Sequence, residues 1–231
     1  MLTAFALAAS LPLGRLLNRW SCRGLHWVES FAAGVSLSYV IADLMVELMH
    51  AGAEYVHSAL PIAPTSEMTT FSIVLIGATW WYVVAAIASK IGRPRVRYRV
   101  YIVPQALYGV FVGGALAFES EHGPKQLLLF ALAMLLHLTV VENHIHHDFG
   151  AEHVGFRTIL LAIAPGLGAT AWVLLSLPPA ALFIALALVA GSTVVQILQS
   201  ELPSPDVVRV GPFLLGVCVY SIMIAARWRR T

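Results

Sequence analysis

Eight long apolar stretches, joined by short polar loops, occupy almost all of this 231-residue chain. A helix needs about 20 largely apolar residues to cross the hydrocarbon core of a bilayer. Eight such spans leave no room for a separate soluble domain, so the sequence predicts an all-α integral membrane protein with eight transmembrane helices in one domain, 1–231. The predicted spans are approximately 2–17, 27–50, 70–89, 100–119, 126–147, 156–177, 180–200 and 212–226.

Composition excludes the soluble classes. Hydrophobic residues make up 59% of the chain and charged residues 11%, whereas soluble domains carry about 25% charged residues. The basic residues fall in the loops, as membrane topology requires, so the net charge of +2 does not indicate nucleic acid as a partner. The partner that composition indicates is the lipid bilayer. Cys22 and Cys218 form no CxxC spacing, and we interpret both as free thiols.

The distribution of basic residues predicts the orientation of the spans. Ten lie in loops on one side of the membrane and four on the other, and basic loops stay in the cytoplasm. The basic C-terminal run opposes this pattern. The prediction is a protein of the cell (inner) membrane with both termini outside. The ten are Arg15, Arg19, Arg23, Lys90, Arg93, Arg95, Arg97, Arg99, Arg157 and Arg209, against Lys125, Arg227, Arg229 and Arg230.

A short sequence pattern in the second span is repeated in the seventh. Gly34 follows an alanine and precedes Asp43 by nine residues, and Gly191 follows an alanine and precedes Ser200 by nine. The two spans would cross in opposite directions, which is the pattern of the inverted repeats in transporters. Small residues that pack helices together are the alternative explanation.

Two spans contain helix breakers, Pro104 in the fourth and Pro165 in the sixth. A proline within a helix leaves the carbonyl four residues earlier without its usual donor. In lipid that carbonyl needs another partner, so such positions tend to face protein or a wet cavity.

Asp43 and Glu47 are acidic residues one turn apart in the second span. Ionisable groups are costly in a bilayer and usually have a function there. We predict that the two carboxylates form an acidic mouth that collects cations. The alternative is a pair of carboxylates exposed to lipid headgroups.

His137 is the most deeply placed titratable residue, near the middle of the fifth span. A neutral imidazole binds transition metals and also carries protons. It is predicted to be a metal ligand or proton relay, with a hydrogen-bonded core histidine as the alternative. His137, His144 and Asp148 fall on one helical stripe, but about 10 Å separates the first two along the axis, so one ion cannot touch both.

The same span ends in the run 142–148, the densest cluster of metal-capable side chains in the chain. Glu142 with His146, and Asn143 with His147, are i,i+4 pairs of the kind that can chelate a metal. Nitrogen and carboxylate ligands suit zinc, iron or manganese. A wet helix end at the cytoplasmic surface is the alternative.

Several short motifs resemble those of the ZIP (zinc- and iron-regulated transporter-like) family. The second span is similar to the family's AGVFL and HLLPE sequences, the fourth to HNxPEGL and the sixth to TAPLGA. The segments that carry the resemblance are 30–35, 43–47, 102–107, 131–137, 164–169 and 190–203.

This resemblance implies a bundle of eight helices in a 3+2+3 inverted-repeat arrangement, with repeat 1 at about 1–90, central helices at about 99–148 and repeat 2 at about 155–227. It implies a homodimer and a divalent metal ion as the transported substrate. Residues that would handle the ion are Asp43, Gln105, His137, Glu142, His144, His146 and His147.

The chain departs from the family at its metal ligands. The fourth-span histidine and glutamate are replaced by Tyr101 and Gln105, and the fifth-span position four residues after His137 is Val141. The second-span histidine is replaced by Asp43 and the seventh-span acidic position by Ser200. The usual two-metal centre therefore cannot form.

Two functions follow as hypotheses. The first is a divergent divalent-metal transporter in which Asp43 gathers ions, His137 with Gln105 holds one, and the run from Glu142 receives it in the cytoplasm. The second is a ZIP-like protein with a degenerate site that transports no metal and acts as a scaffold or sensor. No GxSxG, Walker A or dinucleotide fingerprint is present, so an enzyme is not expected.

Overall fold

The computed structural model describes residues 22–59, 65–121, 123–149, 154–201 and 209–228. Side chains are described within 26–56, 65–120, 123–145, 160–199 and 209–226. In these residues every regular element is helical. The first predicted span, 2–17, lies outside them.

Eight helices cover the described chain, and two π-helical segments interrupt or extend them. The segment Val40–Leu44 joins the first two helices into one continuous helix, and Ile197–Glu201 extends the seventh helix. The helices are α1 (Cys22–Tyr39), α2 (Met45–Ala59), α3 (Ser66–Lys90), α4 (Pro94–Glu121), α5 (Pro124–Phe149), α6 (Val154–Leu175), α7 (Pro179–Gln196) and α8 (Val210–Trp228).

Within the described residues, five continuous helical segments are long and apolar enough to cross a membrane: His26–Val56, Ser66–Lys90, Pro94–Ser120, Pro124–Ile145 and Pro179–Gln199. Two shorter apolar helices run over Leu160–Leu175 and Val210–Ala226. The prediction of an all-helical protein with membrane-spanning helices is therefore confirmed for the described residues. Cys218 is a free thiol, as predicted, and the side chain of Cys22 lies outside the described residues.

Local sequence sets where the helices begin. Three of them start at a proline, Pro94, Pro124 or Pro179, because the fixed φ of proline suits the first helical position and its missing N–H is not needed there. Thr65 caps α3, since its side chain accepts a hydrogen bond from the Met68 amide at 3.2 Å.

One predicted loop is shorter than expected. Arg95, Arg97 and Arg99 were assigned to the loop before the fourth span, but they lie in α4. Only 91–93 link α3 to α4. The helix includes these basic residues because Pro94 starts it early. We call the end of the bundle at which α4 begins the basic end, and the other end the opposite end.

A pair of glycines brings α1 and α8 into close contact. A methyl group added at Gly34 would overlap the Phe213 carbonyl of α8, and one added at Gly216 would overlap the Phe31 carbonyl of α1. In each case that carbonyl lies three residues before the partner glycine. Only residues without a side chain allow two helix backbones to approach this closely.

A second pair repeats this geometry between α3 and α7. A methyl group at Gly191 would overlap the Val74 carbonyl, and one at Gly77 would overlap the Leu188 carbonyl. Each carbonyl again lies three residues before the partner glycine. The two helix pairs therefore pack in the same residue register.

The π-helical segments extend this correspondence. Val40 begins its segment six residues after Gly34, and Ile197 begins its segment six residues after Gly191. Such segments insert an extra residue into a helix and turn the following side chains to a new face, and they are frequent at functional sites.

The predicted breakers Pro104 and Pro165 both lie within helices, in α4 and α6. Pro165 also lies at a close crossing, because an added methyl group at Gly113 would overlap its carbonyl. On the α6 side, a methyl group at Gly168 would overlap the Val110 carbonyl of α4. The proline is thus held at the contact between α4 and α6.

Candidate functional site

Polar side chains are concentrated inside the bundle. Because polar groups are costly in hydrocarbon, those of spanning helices normally face protein or a wet cavity. Four predicted site residues belong to this interior set: Asp43 is 3% exposed, Gln105 2%, His137 0% and Glu142 2%. The other buried polar residues are Ser30, Ser36, Ser38, Thr70, Glu119, Thr139, Asn143, Ser192, Thr193 and Gln196.

His137 lies at the centre of α5 and faces α4. Its ring meets the Tyr108 ring edge-on, with 5.9 Å between the ring centroids. The Tyr108 hydroxyl forms a hydrogen bond of 2.7 Å with the Thr193 hydroxyl of α7 and contacts the Met134 sulfur at 3.8 Å. His137 therefore faces the protein interior, where α4, α5 and α7 come together.

Gln105 and Glu142 line a small cavity between α4, α5 and α6. It has about 20 Å³ of room, just above the roughly 10–15 Å³ that one water needs. The Gln105 Oε1 atom is buried and has no hydrogen-bond partner. An acceptor buried in this way is costly unless an ion or water satisfies it.

Pro165 and Leu161 form the α6 wall of this cavity. Leu161 is the residue whose carbonyl Pro165 cannot hydrogen-bond, because proline has no N–H. The cavity is thus lined by a carboxylic residue, an amide residue and a residue whose carbonyl lacks its usual helical donor. This chemistry suits a small cation or a single water.

Near the basic end, α5 is tied to α1. The Asn143 side-chain amide donates to the Glu29 carboxylate at 2.9 Å, and the other Glu29 oxygen lies 3.3 Å from Nδ1 of His26. Glu142 and its neighbour Asn143 therefore turn toward different helices. The two predicted chelating pairs, 142/146 and 143/147, therefore begin on different faces of α5.

The remaining members of the predicted histidine run are not part of a cluster in the described residues. His144 is half-buried on α5. The side chains of His146 and His147 lie outside the described residues, as does that of Asp148. The predicted i,i+4 pairs 142/146 and 143/147 thus fall partly outside the structure.

Toward the opposite end, acidic residues surround Tyr39. The Tyr39 hydroxyl is within electrostatic range of the carboxylates of Glu119, Glu47 and Asp43. Asp43 lies in the first π-helical segment, and Glu47 accepts a hydrogen bond from the Gln126 side chain of α5. Of the predicted pair, Asp43 is thus buried and Glu47 partly buried, and Glu119 of α4 is a third carboxylate, which is buried.

The structure gathers the predicted residues differently from the expectation. Gln105 was expected to assist His137, but it shares its cavity with Glu142, and His137 does not line that cavity. Asp43 lies in the acidic region near Tyr39 instead. Among the described residues no three His, Cys, Asp or Glu side chains converge as a metal site. The predicted residues lie at separate places along the bundle.

Two acidic residues were missed from the sequence, the buried Glu119 and the partly buried Glu29. Glu119 precedes Ser120 and Glu121, so it was taken as the polar end of a span, although it is 1% exposed. Glu29 lies in the first turn of the predicted second span, 27–50, and no motif marks it. The position of Glu119 on the same helix as Tyr108 does not indicate from the sequence that Glu119 is buried, because α4 is apolar on several faces.

Comparisons with known proteins assign the chain to no family. The chain matches no protein-family model, and a search of curated proteins finds no match.

Proposed function

We propose that the chain is a divergent ZIP-like transporter that moves a divalent metal ion through the helix bundle toward the cytoplasm. The observation that carries this proposal is the cavity lined by both Gln105 and Glu142, because the buried amide oxygen of Gln105 has no hydrogen-bond partner and the side chain of Glu142 is also buried. The buried imidazole of His137 and the acidic region around Tyr39 give the ion further stations along the bundle.

The donor set bears on which ion is carried. Around the cavity the donors are oxygens, namely the carboxylate of Glu142 and the amide of Gln105, with Leu161 nearby. Oxygen ligands suit manganese and other hard cations, while zinc prefers nitrogen and sulfur. Manganese is therefore the proposed first choice among manganese, iron and zinc.

Transport requires that the two ends of the bundle open in turn. The matched glycine pairs, Gly34 with Gly216 and Gly191 with Gly77, support an inverted repeat, because each pair has the same register. Transporters of this design bind their substrate near the repeat interface and rock one part against another. The cavity and His137 lie on α4 and α5, which stand in the sequence between the first partners of the two pairs, α1 and α3, and their second partners, α7 and α8.

A second candidate function is a membrane scaffold or sensor that does not transport metal. The observation that favours it is that no three metal-binding side chains converge among the described residues. Tyr101 and Val141, at positions where the ZIP resemblance implies ligands, agree with this alternative.

Titration of the purified protein with manganese and with zinc by calorimetry tests the proposal. We expect binding with a preference for manganese, weakened at least about tenfold in Glu142→Gln and unchanged in Glu54→Gln, an exposed carboxylate on α2. Absence of binding at millimolar metal would favour the scaffold. Binding that Glu142→Gln leaves intact would place the ion elsewhere.

A further inference from the structure

A larger cavity of about 280 Å³ lies between α3, α4 and α7, separate from the one lined by Glu142. Its walls are almost entirely apolar and aromatic. Two of its aromatic residues are buried, Trp81 at 2% exposed and Tyr108 at 4%. The lining residues are Ile76, Gly77, Trp80, Trp81, Pro104, Leu107, Tyr108, Phe111, Leu188, Val189 and Ser192.

The two hydroxyl groups that line this cavity already have partners within the protein. The Ser192 hydroxyl donates to the Gly77 carbonyl at 3.1 Å, and the Tyr108 hydroxyl is bonded to Thr193 at 2.7 Å. Water enters a cavity only where it finds two to four polar partners, and apolar cavities of this size stay dry. Water therefore does not account for the space.

The mouth of the cavity opens on the outer surface of the bundle. Ile76 is 60% exposed, Trp80 52% and Leu107 44%. All three lie near the middle of the spans Ser66–Lys90 and Pro94–Ser120, so the solvent at the mouth is the hydrocarbon of the bilayer. Leaving the space empty would forfeit dispersion contacts along its whole lining.

We propose that this cavity binds one acyl chain of a bilayer phospholipid. The chain would enter between Trp80 and Leu107 and end against Trp81 and Tyr108. Since the Tyr108 ring also meets the ring of His137, the acyl chain would help to hold an aromatic side chain that contacts the polar interior. The proposal does not depend on metal transport.

Tryptophan quenching by phospholipids brominated at mid-chain tests it. In proteoliposomes, a variant whose only tryptophan is Trp81 should be quenched to within about twofold of a variant whose only tryptophan is the exposed Trp80. Adding Leu188→Phe, which fills the cavity, should protect Trp81, while Leu174→Phe on the exposed surface of α6 should not. Weak quenching of Trp81 by the brominated lipid would overturn the proposal. So would quenching of Trp81 that Leu188→Phe leaves unchanged.

A second measurement uses the unaltered chain, in case the single-tryptophan variants do not fold. A phospholipid with a photoreactive group at mid-chain should label the buried residues Trp81 and Tyr108 as well as the exposed Trp80. Labelling confined to exposed residues would show that no acyl chain enters. Quenching or labelling that rises as the protein is diluted in lipid would show that a second copy covers the mouth, which also contradicts the proposal.

Discussion

The crossing of α8 over α1 makes a quantitative prediction for Gly216. A methyl group at this position would overlap the Phe31 carbonyl and reach 3.1 Å from the Val35 amide nitrogen, both of which are backbone atoms. Backbone cannot rotate away as a side chain can, so the two helices must separate. Overpacking of this kind costs about 1–3 kcal/mol, which exceeds the gain of up to about 1 kcal/mol from replacing glycine by alanine within a helix.

Gly211 provides the matched control on the same helix, because an added methyl group there meets nothing within 4 Å. Thermal unfolding in detergent should show a lower melting temperature for Gly216→Ala, by up to roughly 8 °C, because the net loss after the helix gain is up to about 2 kcal/mol and each kcal/mol shifts the midpoint by about 2–4 °C. Gly211→Ala should melt at or above the wild-type temperature. Because Gly77 has the same environment in the second pair, Gly77→Ala should lose a similar amount. Equal melting temperatures for Gly216→Ala and Gly211→Ala would refute the close crossing.

Three further predictions concern single hydrogen bonds. Each is tested by measuring the free energy of unfolding in detergent. Thr65→Ala removes the cap of α3 and should cost about 0.5–2 kcal/mol; no loss would mean that the cap does not form. Tyr108→Phe removes the bond to Thr193 and should cost about 0.5–1.5 kcal/mol, and a neutral result would contradict that contact. Asn143→Leu withdraws the donor from Glu29 and should cost about 1–3 kcal/mol. A double-mutant cycle with Glu29→Ala should show a coupling above about 0.5 kcal/mol, and additive losses would contradict the pair.

The helices could be predicted from the sequence because their signals are local. Apolar length identifies a span wherever it occurs, and the breakers Pro104 and Pro165 were correctly placed within helices. The start of α4 was wrong because Arg95 and Arg97 were taken as loop residues, although Pro94 is a strong helix-start signal.

The arrangement of the site could not be predicted in the same way. A span that is apolar on most faces does not reveal which face meets which neighbour, so Gln105 was assigned to His137 when it lies with Glu142. That pairing depends on the crossing of α4 over α6, which Gly113 and Gly168 allow. Burial of Glu119 likewise depends on neighbouring helices, since its own sequence context is that of a helix end.

Manganese uptake into proteoliposomes tests the central claim most directly, that polar stations inside the bundle carry a divalent ion across the membrane. The account predicts uptake by the wild-type protein above that of empty vesicles, retained in Glu54→Gln and reduced at least about tenfold in Glu142→Gln. Wild-type vesicles that take up no more manganese, iron or zinc than empty ones would contradict it, provided that the protein is folded and both orientations are present.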